Sequence, residues 1–108
     1  MSRHHLHTVR DGRPWLVVMG YDRPLSEFFL QLWDDAPGAD AEEPAYNSSL
    51  HEPAADWRDI ATVVQRLADF GLQVPSSMID SVIVDAALRA GNRIVEHTPD
   101  GGERALSG

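Results

Sequence analysis

The chain has 108 residues, an apolar fraction of 43%, and 17 acidic residues against nine basic ones, for a formal net charge of −8. Length and apolar content fit one small domain with a real core, and a charged fraction of 24% excludes wholesale disorder. There is no Cys, and every basic residue is an Arg, which excludes thiol nucleophiles, Cys-ligated zinc, iron–sulfur clusters, Schiff-base lysines and phosphate-loop lysines.

His5 to Val9 reads as a short edge strand. Asp11-Gly12 between apolar runs is a hairpin signal, and Trp15 to Met19 is the continuously apolar strand that follows. Gly20 relieves crowding at its end, and Pro24 suits the second position of a turn across Arg23-Pro24-Leu25-Ser26. Glu27 to Trp33 is the third strand: Phe28, Leu30 and Leu32 point one way, Phe29, Gln31 and Trp33 the other. Residues 34–53 form a long connection broken by Pro37, Gly38, Pro44 and Pro53.

Two helices follow. The first spans about Asp56 to Phe70, with Trp57, Ile60, Ala61, Val64, Leu67 and Ala68 as its core stripe, Asp56 as cap and Gly71 at the C-terminal left-handed position. The second begins near Ser77, where Ser77-Met78-Ile79-Asp80 resembles a capping box, and ends at Gly91-Asn92. Its Ile79, Val82, Ile83, Ala86, Ala87 and Ala90 form an apolar face, and Asp85 and Arg89 are spaced to pair in solvent. Arg93 to His97 makes a last short strand. The expected fold class is α+β: a three- to four-stranded antiparallel sheet in β-β-β-α-α-β order with two helices on one face. Residues 1–97 form the single domain and 98–108 a flexible tail.

Three clusters of chemistry-bearing residues stand out. Tyr21, Asp22 and Arg23, with Glu27 nearby, put a phenol, a carboxylate and a guanidinium at a strand end, a set that can bind a carboxylate or phosphate or orient a water. The competing reading is a structural turn, in which Asp22 caps backbone N–H groups and Arg23 pairs with Asp22 or Glu27. Among His4, His5 and His7, the pair His5 and His7 share a strand face at a spacing usable by two metal ligands, with His97 as a third if the last strand lies beside the first. Lacking a Cys or carboxylate at defined spacing, these read as exposed histidines that take metal only adventitiously. Asp34, Asp35, Glu42 and Glu43 lack the alternating ligands and turn glycine of a calcium loop. No cofactor and no specific metal site are expected.

The third cluster is the acidic connection. From Asp34 to Trp57 the chain carries Asp34, Asp35, Asp40, Glu42, Glu43, Glu52 and Asp56 and no Arg. That block argues against binding a phosphate backbone and suits a basic protein partner. Trp33, Tyr46 and Trp57 lie in or beside it, and an aromatic rimmed by acids is a common anchor for Arg or Lys.

Met19-Gly20-Tyr21-Asp22-Arg23-Pro24-Leu25, then Tyr46-Asn47-Ser48-Ser49-Leu50, then Gly71-Leu72-Gln73-Val74-Pro75-Ser76-Ser77-Met78, then Gly91-Asn92-Arg93 resemble the pattern of a group of small uncharacterised proteobacterial proteins. The resemblance covers roughly residues 6 to 97. It implies a bacterial, single-domain, cytoplasmic protein and no catalytic residue.

The sequence therefore points first to a non-enzymatic protein-interaction module using Trp33, Asp34, Asp35, Glu42, Glu43, Tyr46 and Trp57. The alternatives are an acidic mimic of nucleic acid that blocks a DNA-binding or defence protein, and a small ligand-binding protein or enzyme using the Tyr21-Asp22-Arg23 turn. A cytoplasmic location agrees with the absence of a signal-peptide core in Met1–His7 and of any apolar run near the ~20 residues that span a bilayer. No membrane contact is expected, and a homodimer would form through an uncovered edge at His5–Val9 or Glu27–Trp33.

Overall fold

The computed structural model describes residues 1–38 and 42–107. The elements run β1 (Ser2–Arg10), β2 (Arg13–Asp22), β3 (Glu27–Asp34), β4 (Tyr46–Asn47), α1 (Ser48–His51), α2 (Ile60–Asp69), α3 (Ser76–Ala87), β5 (Arg93–His97) and β6 (Glu103–Ser107). They make an α+β fold with one six-stranded sheet in the order β4-β3-β2-β1-β5-β6. None of the described helices is long and apolar enough to cross a membrane.

The β1–β2–β3 meander follows the expected pattern. Asp11 and Gly12 both take positive φ (52° and 76°), as a two-residue hairpin turn requires, and Arg10 pairs with Arg13 across it. Ser26 N–H closes the next turn onto the Arg23 carbonyl at 3.2 Å, and Asp22 pairs with Glu27.

Four features correct the sequence-based picture. First, β1 is interior and not an edge: β2 pairs with it antiparallel on one side and β5 parallel on the other, so the sheet is mixed. The meander leaves one side of β1 free, and β5 returns from α3 to that side in the same direction as β1. Second, β3 is not an open edge either. Its outer groups are taken by β4, by the Ser48 hydroxyl, which accepts from Leu30 N–H at 3.1 Å, and by the Trp57 carbonyl, which accepts from Phe28 N–H at 2.7 Å. Neither strand offered for homodimer pairing is free; the outermost strands are β4 and β6. Third, residues beyond 97 are not a tail without structure. Thr98-Pro99-Asp100-Gly101 turns the chain, with Gly101 N–H on the Thr98 carbonyl at 3.0 Å, and β6 pairs antiparallel with β5. Fourth, Ser48–His51 forms a short helix that the sequence reading leaves within the connection.

The helices shift in detail. α2 is capped by Asp59, whose side chain accepts from Ala61 N–H at 2.9 Å, and not by Asp56. Trp57 has turned into the core and its carbonyl serves Phe28, so the backbone before Asp59 is not helical. Gly71 does take the left-handed position after α2, at φ 68°. α3 starts after Pro75 with no side-chain cap, and Ser77 Oγ instead donates to the Gly101 carbonyl at 3.3 Å. Its left-handed exit residue is Arg89 (φ 49°), not Gly91.

Both long helices lie on one face of the sheet, α2 over β3 and α3 over β1 and β2. Leu6, Val17, Met19, Leu30 and Leu32 from the strands meet Trp57, Val63, Leu67, Met78 and Val82 there. The stripe that α3 buries is Met78–Val82–Asp85, while Ile83 is exposed, so the helix is rotated from the expected face. The other sheet face carries Leu16, Val18, Phe29 and Trp33; among the described residues no helix crosses it, and Val18 and Phe29 are buried there.

Gly20 is where this packing tolerates no side chain: a Cβ there would collide with the Ser2 carbonyl and touch the Phe29 ring. Gly20→Ala should therefore destabilise the fold by about 1–3 kcal/mol, since backbone must move to make room. Urea unfolding checks this, and an unchanged midpoint would refute it.

Candidate functional site

The most concentrated polar chemistry in the molecule is buried between the sheet and α3. Asp85 sits in the centre of the apolar stripe of α3, 1% exposed. A carboxylate in such a place needs donors on both oxygens. Arg93, at the start of β5, donates from Nη1 to Oδ1 at 2.7 Å. His4, on β1, contacts Oδ2 through Nε2 at 2.6 Å. The carboxylate can only accept, so His4 Nε2 carries the proton in that contact. His4 Nδ1 then lies 2.8 Å from His97 Nε2 on β5. The parallel β1/β5 register (His4 with Val95, Leu6 with His97) puts both imidazoles on the helix-facing side of neighbouring strands.

The result is a chain Arg93–Asp85–His4–His97 that ties three elements together. Only one proton fits between the two facing ring nitrogens. His97 Nδ1 ends the chain, buried and with no hydrogen-bond partner among the described residues. Burial chiefly, then the adjacent His4, lowers the His97 pKa below the ordinary 6.5; Arg93 lowers it further, while Glu103 and Asp85 oppose the shift. A carboxylate orienting an imidazole is the arrangement that prepares a general base. Here His4 and His97 are 0% and 2% exposed, so a substrate has no access to them in this conformation.

The histidines group differently from the sequence expectation. The β1/β5 pairing it needed is present, but His97 meets His4, not His5 and His7. His5 and His7 fall on the opposite sheet face. His7 Nδ1 contacts Asp35 Oδ2 at 2.6 Å. His5 is half-buried, and burial first, then Arg3 and His7, lowers its pKa. No group of three or more metal-ligating residue types gathers among the described residues. Asp85 does not pair with Arg89 in solvent, because the rotation of α3 takes it inside. Its legible signal was position: three residues after Val82 and seven after Met78, a carboxylate in mid-stripe.

The acidic connection is dispersed. Asp34 pairs with Arg13 and accepts from Ala36 N–H, and the Arg13 contact chiefly lowers its pKa. Asp35 is taken by His7. Glu52 is a hub: its carboxylate receives Arg66 Nε at 3.0 Å and the Tyr46 hydroxyl at 2.8 Å, and its carbonyl receives Trp57 Nε1 at 2.7 Å. Asp56 faces Arg58 at 3.7 Å, and Glu42 and Glu43 are exposed. Asp40 lies outside the described residues.

The aromatic residues separate accordingly. Tyr46 and Trp57 are core residues and cannot be surface anchors: Trp57 is 3% exposed, and Tyr46 packs edge-on against Phe70. Burial, then the contact with Glu52, pushes the Tyr46 phenol up to about 12. Trp33 alone of the three is partly open, on the sheet face opposite α2 and α3, with Nε1 donating to Gln31 Oε1 at 3.3 Å.

At the β2–β3 turn, Tyr21 is buried against Phe28, with ring centroids 5.8 Å apart. Its hydroxyl accepts from Arg89 Nη1 at 3.4 Å. Arg23 is exposed, with its guanidinium beside Gly91, and forms no ion pair with Asp22 or Glu27. Tyr21 and Phe28 line a groove of about 640 Å³ that runs between this turn, the entry to α2 and the last turns of α3. Asp22 and Glu27 lie instead on a separate cavity of about 80 Å³.

Two outcomes test the buried chain. Asp85→Ala leaves Arg93 and His4 without their shared acceptor and should cost about 3 kcal/mol or more. The His97 and His5 pKa values are lowered in the folded state, so the stability they contribute is complete above the unfolded value near 6.5 and is lost as pH falls below it. Unfolding free energy should decline from pH 6.5 to 5, by up to about 1.4 kcal/mol per pH unit for each proton that only the unfolded chain binds. His97→Gln should flatten that slope in urea titrations at each pH; an unchanged slope would count against it.

No family model, no curated protein and no solved structure matches this chain.

Proposed function

We propose that the chain is a non-enzymatic protein-interaction module, cytoplasmic and without a cofactor, whose contact surface is the Trp33 corner of the sheet face opposite α2 and α3. The observation that carries this is a partly open Trp33 on that face, at the strand end where Asp34 and Asp35 begin the acid-rich segment. Glu42 and Glu43 extend the same charge into solvent. The partner surface that fits is basic, with Arg or Lys to lie on the indole and to meet the carboxylates. The Asp34–Arg13 and Asp35–His7 pairs do not stand in the way. Exposed pairs of this kind hold about 0–1 kcal/mol, so a partner's guanidinium can replace them.

Long-range attraction to a net charge of −8 brings the partner in, and the aromatic contact holds it. The nucleic-acid mimic is less well supported, because it needs acids in one ordered row, whereas Asp34, Asp35, Glu52 and Asp56 each turn to a different local partner. Affinity purification from the native host, comparing wild type with Trp33→Ala and with the double variant Glu42→Gln/Glu43→Gln, checks the reading. Trp33→Ala should reduce recovery of at least one basic protein about tenfold or more, and the double variant should make its capture less sensitive to salt. Recovery of every partner unchanged by both variants would overturn the proposal.

A further inference from the structure

The turn end of the β1–β2 hairpin encloses a cavity on the helix side of the sheet. The hairpin sets Thr8 opposite Trp15 and Arg10 opposite Arg13, so Arg10 and Trp15 share that side. Beyond them Leu32 of β3 pairs with Tyr46 of β4, and the left-handed Gly71 places Phe70 and Leu72 at the same corner. Arg10, Trp15, Leu32, Tyr46, Phe70 and Leu72 line a cavity of about 150 Å³. Leu32, Tyr46 and Leu72 are buried, and Arg10, Trp15 and Phe70 are half-buried. The cavity therefore has a buried floor and a rim that reaches solvent.

The polar side chains of this lining are donors. Trp15 Nε1–H is buried and has no acceptor among the described residues. A buried donor in that state destabilises the fold unless something supplies the acceptor. Arg10 donates from Nη1 to the Phe70 carbonyl at 2.5 Å and forms no ion pair among the described residues. Its guanidinium stands over the Trp15 ring, 5.1 Å from the centroid. The Tyr46 hydroxyl already donates to Glu52, which is not part of the lining. Among the described residues Arg10 is the one charged group that lines the cavity. Asp11 lies on a neighbouring cleft, and Asp34 is taken by Arg13. The rest of the wall is aromatic or aliphatic, with Tyr46 and Phe70 set edge to face at 4.9 Å.

We propose that this cavity binds a free single-ring aromatic carboxylate of the size of benzoate. The ring lies among Leu32, Tyr46, Phe70 and Leu72, where aromatic edges and faces suit a planar guest. The carboxylate lies at Arg10, with one oxygen accepting from Trp15 Nε1–H, and so meets the cation and the unmatched donor together. Volume sets the class. At an interior packing density of about 0.75, the cavity of about 150 Å³ encloses ~110 Å³ of atoms, one six-membered ring with a small substituent. Apolar cavities of this volume hold benzene. A peptide chain end is too large for it. The cavity is on the helix side of the sheet and Trp33 is on the other, so either proposal can fail without the other.

The test is an NMR titration of the ¹⁵N-labelled protein with sodium benzoate. Sodium acetate, which has the charge without the ring, and benzamide, which has the ring without the charge, serve as controls. Saturable binding with a Kd of about 1 mM or tighter supports the proposal, with the largest shift at the Trp15 indole N–H and backbone shifts at Leu32, Tyr46 and Leu72. Both controls should bind about tenfold more weakly or not at all. Arg10→Gln should weaken benzoate binding about tenfold or more. Because Arg10 also holds the end of α2 through the Phe70 carbonyl, Trp15→Phe is read beside it. That variant keeps an aromatic ring at a half-buried position, should fold, and lacks the N–H; its benzoate affinity, read from the backbone shifts, should fall about fivefold. No saturable shift with benzoate, shifts located away from the cavity, or equal affinity for acetate or benzamide would overturn the proposal. So would unchanged benzoate affinity in either variant.

Discussion

Asp85 is the constraint around which the rest is arranged. A carboxylate 1% exposed, inside the stripe that α3 presses onto the sheet, is tolerated only because two strands deliver donors to it. His4 must come from β1 and Arg93 from β5, so those strands have to be neighbours, in a register that turns His4 and His97 to the helix side. The parallel pairing of β1 with β5 and the rotation of α3 are thus parts of one solution. A mispaired strand or a helix turned by one residue would leave a charge buried without its partners, a penalty large enough to exclude that alternative fold.

Fixing α3 in this way has consequences at both ends of the helix. At its C-terminal end, Arg89 leaves the helix in a left-handed conformation and is carried to the β2–β3 turn, where it meets Tyr21 and Ser26. At its N-terminal end, Ser77 meets the turn that leads into β6. Placing both long helices on one face also leaves the other face without a described helix across it, with the half-buried Trp33 at its corner and Val18 and Phe29 buried on it.

Much of the sheet was legible because local chemistry decides it. Asp11-Gly12 requires a tight hairpin turn, and the alternation in Glu27–Trp33 separates a core face from a second face. The β6 strand is not legible in the sequence, although Pro99-Asp100-Gly101 is itself a turn sequence, because Glu103 to Ser107 has no apolar alternation, and Glu103 to Leu106 are exposed. The candidate-site reading was less complete. Trp57 and Tyr46 stood beside acids in sequence, but Glu52 draws both inward, through its carbonyl to the indole and its carboxylate to the phenol. Adjacency to charge along the chain does not distinguish a surface anchor from a core residue tied to one partly buried acid.

The amino-acid order by itself determined the α+β class, the β1–β2–β3 meander, two long helices and a strand at Arg93–His97, because turns, caps and apolar periodicity act over a few residues. It also determined what chemistry is absent, since a chain without Cys or Lys has no thiol and no amine side chain to offer. Only the tertiary structure decided that His4, Asp85, Arg93 and His97 form one chain, that β1 is interior, and that Arg89 reaches Tyr21. Those contacts join residues separated by 81, 93 and 68 positions. Their pairing depends on which helix face is buried and which strand edge is left free, and neither is fixed until the whole core has formed.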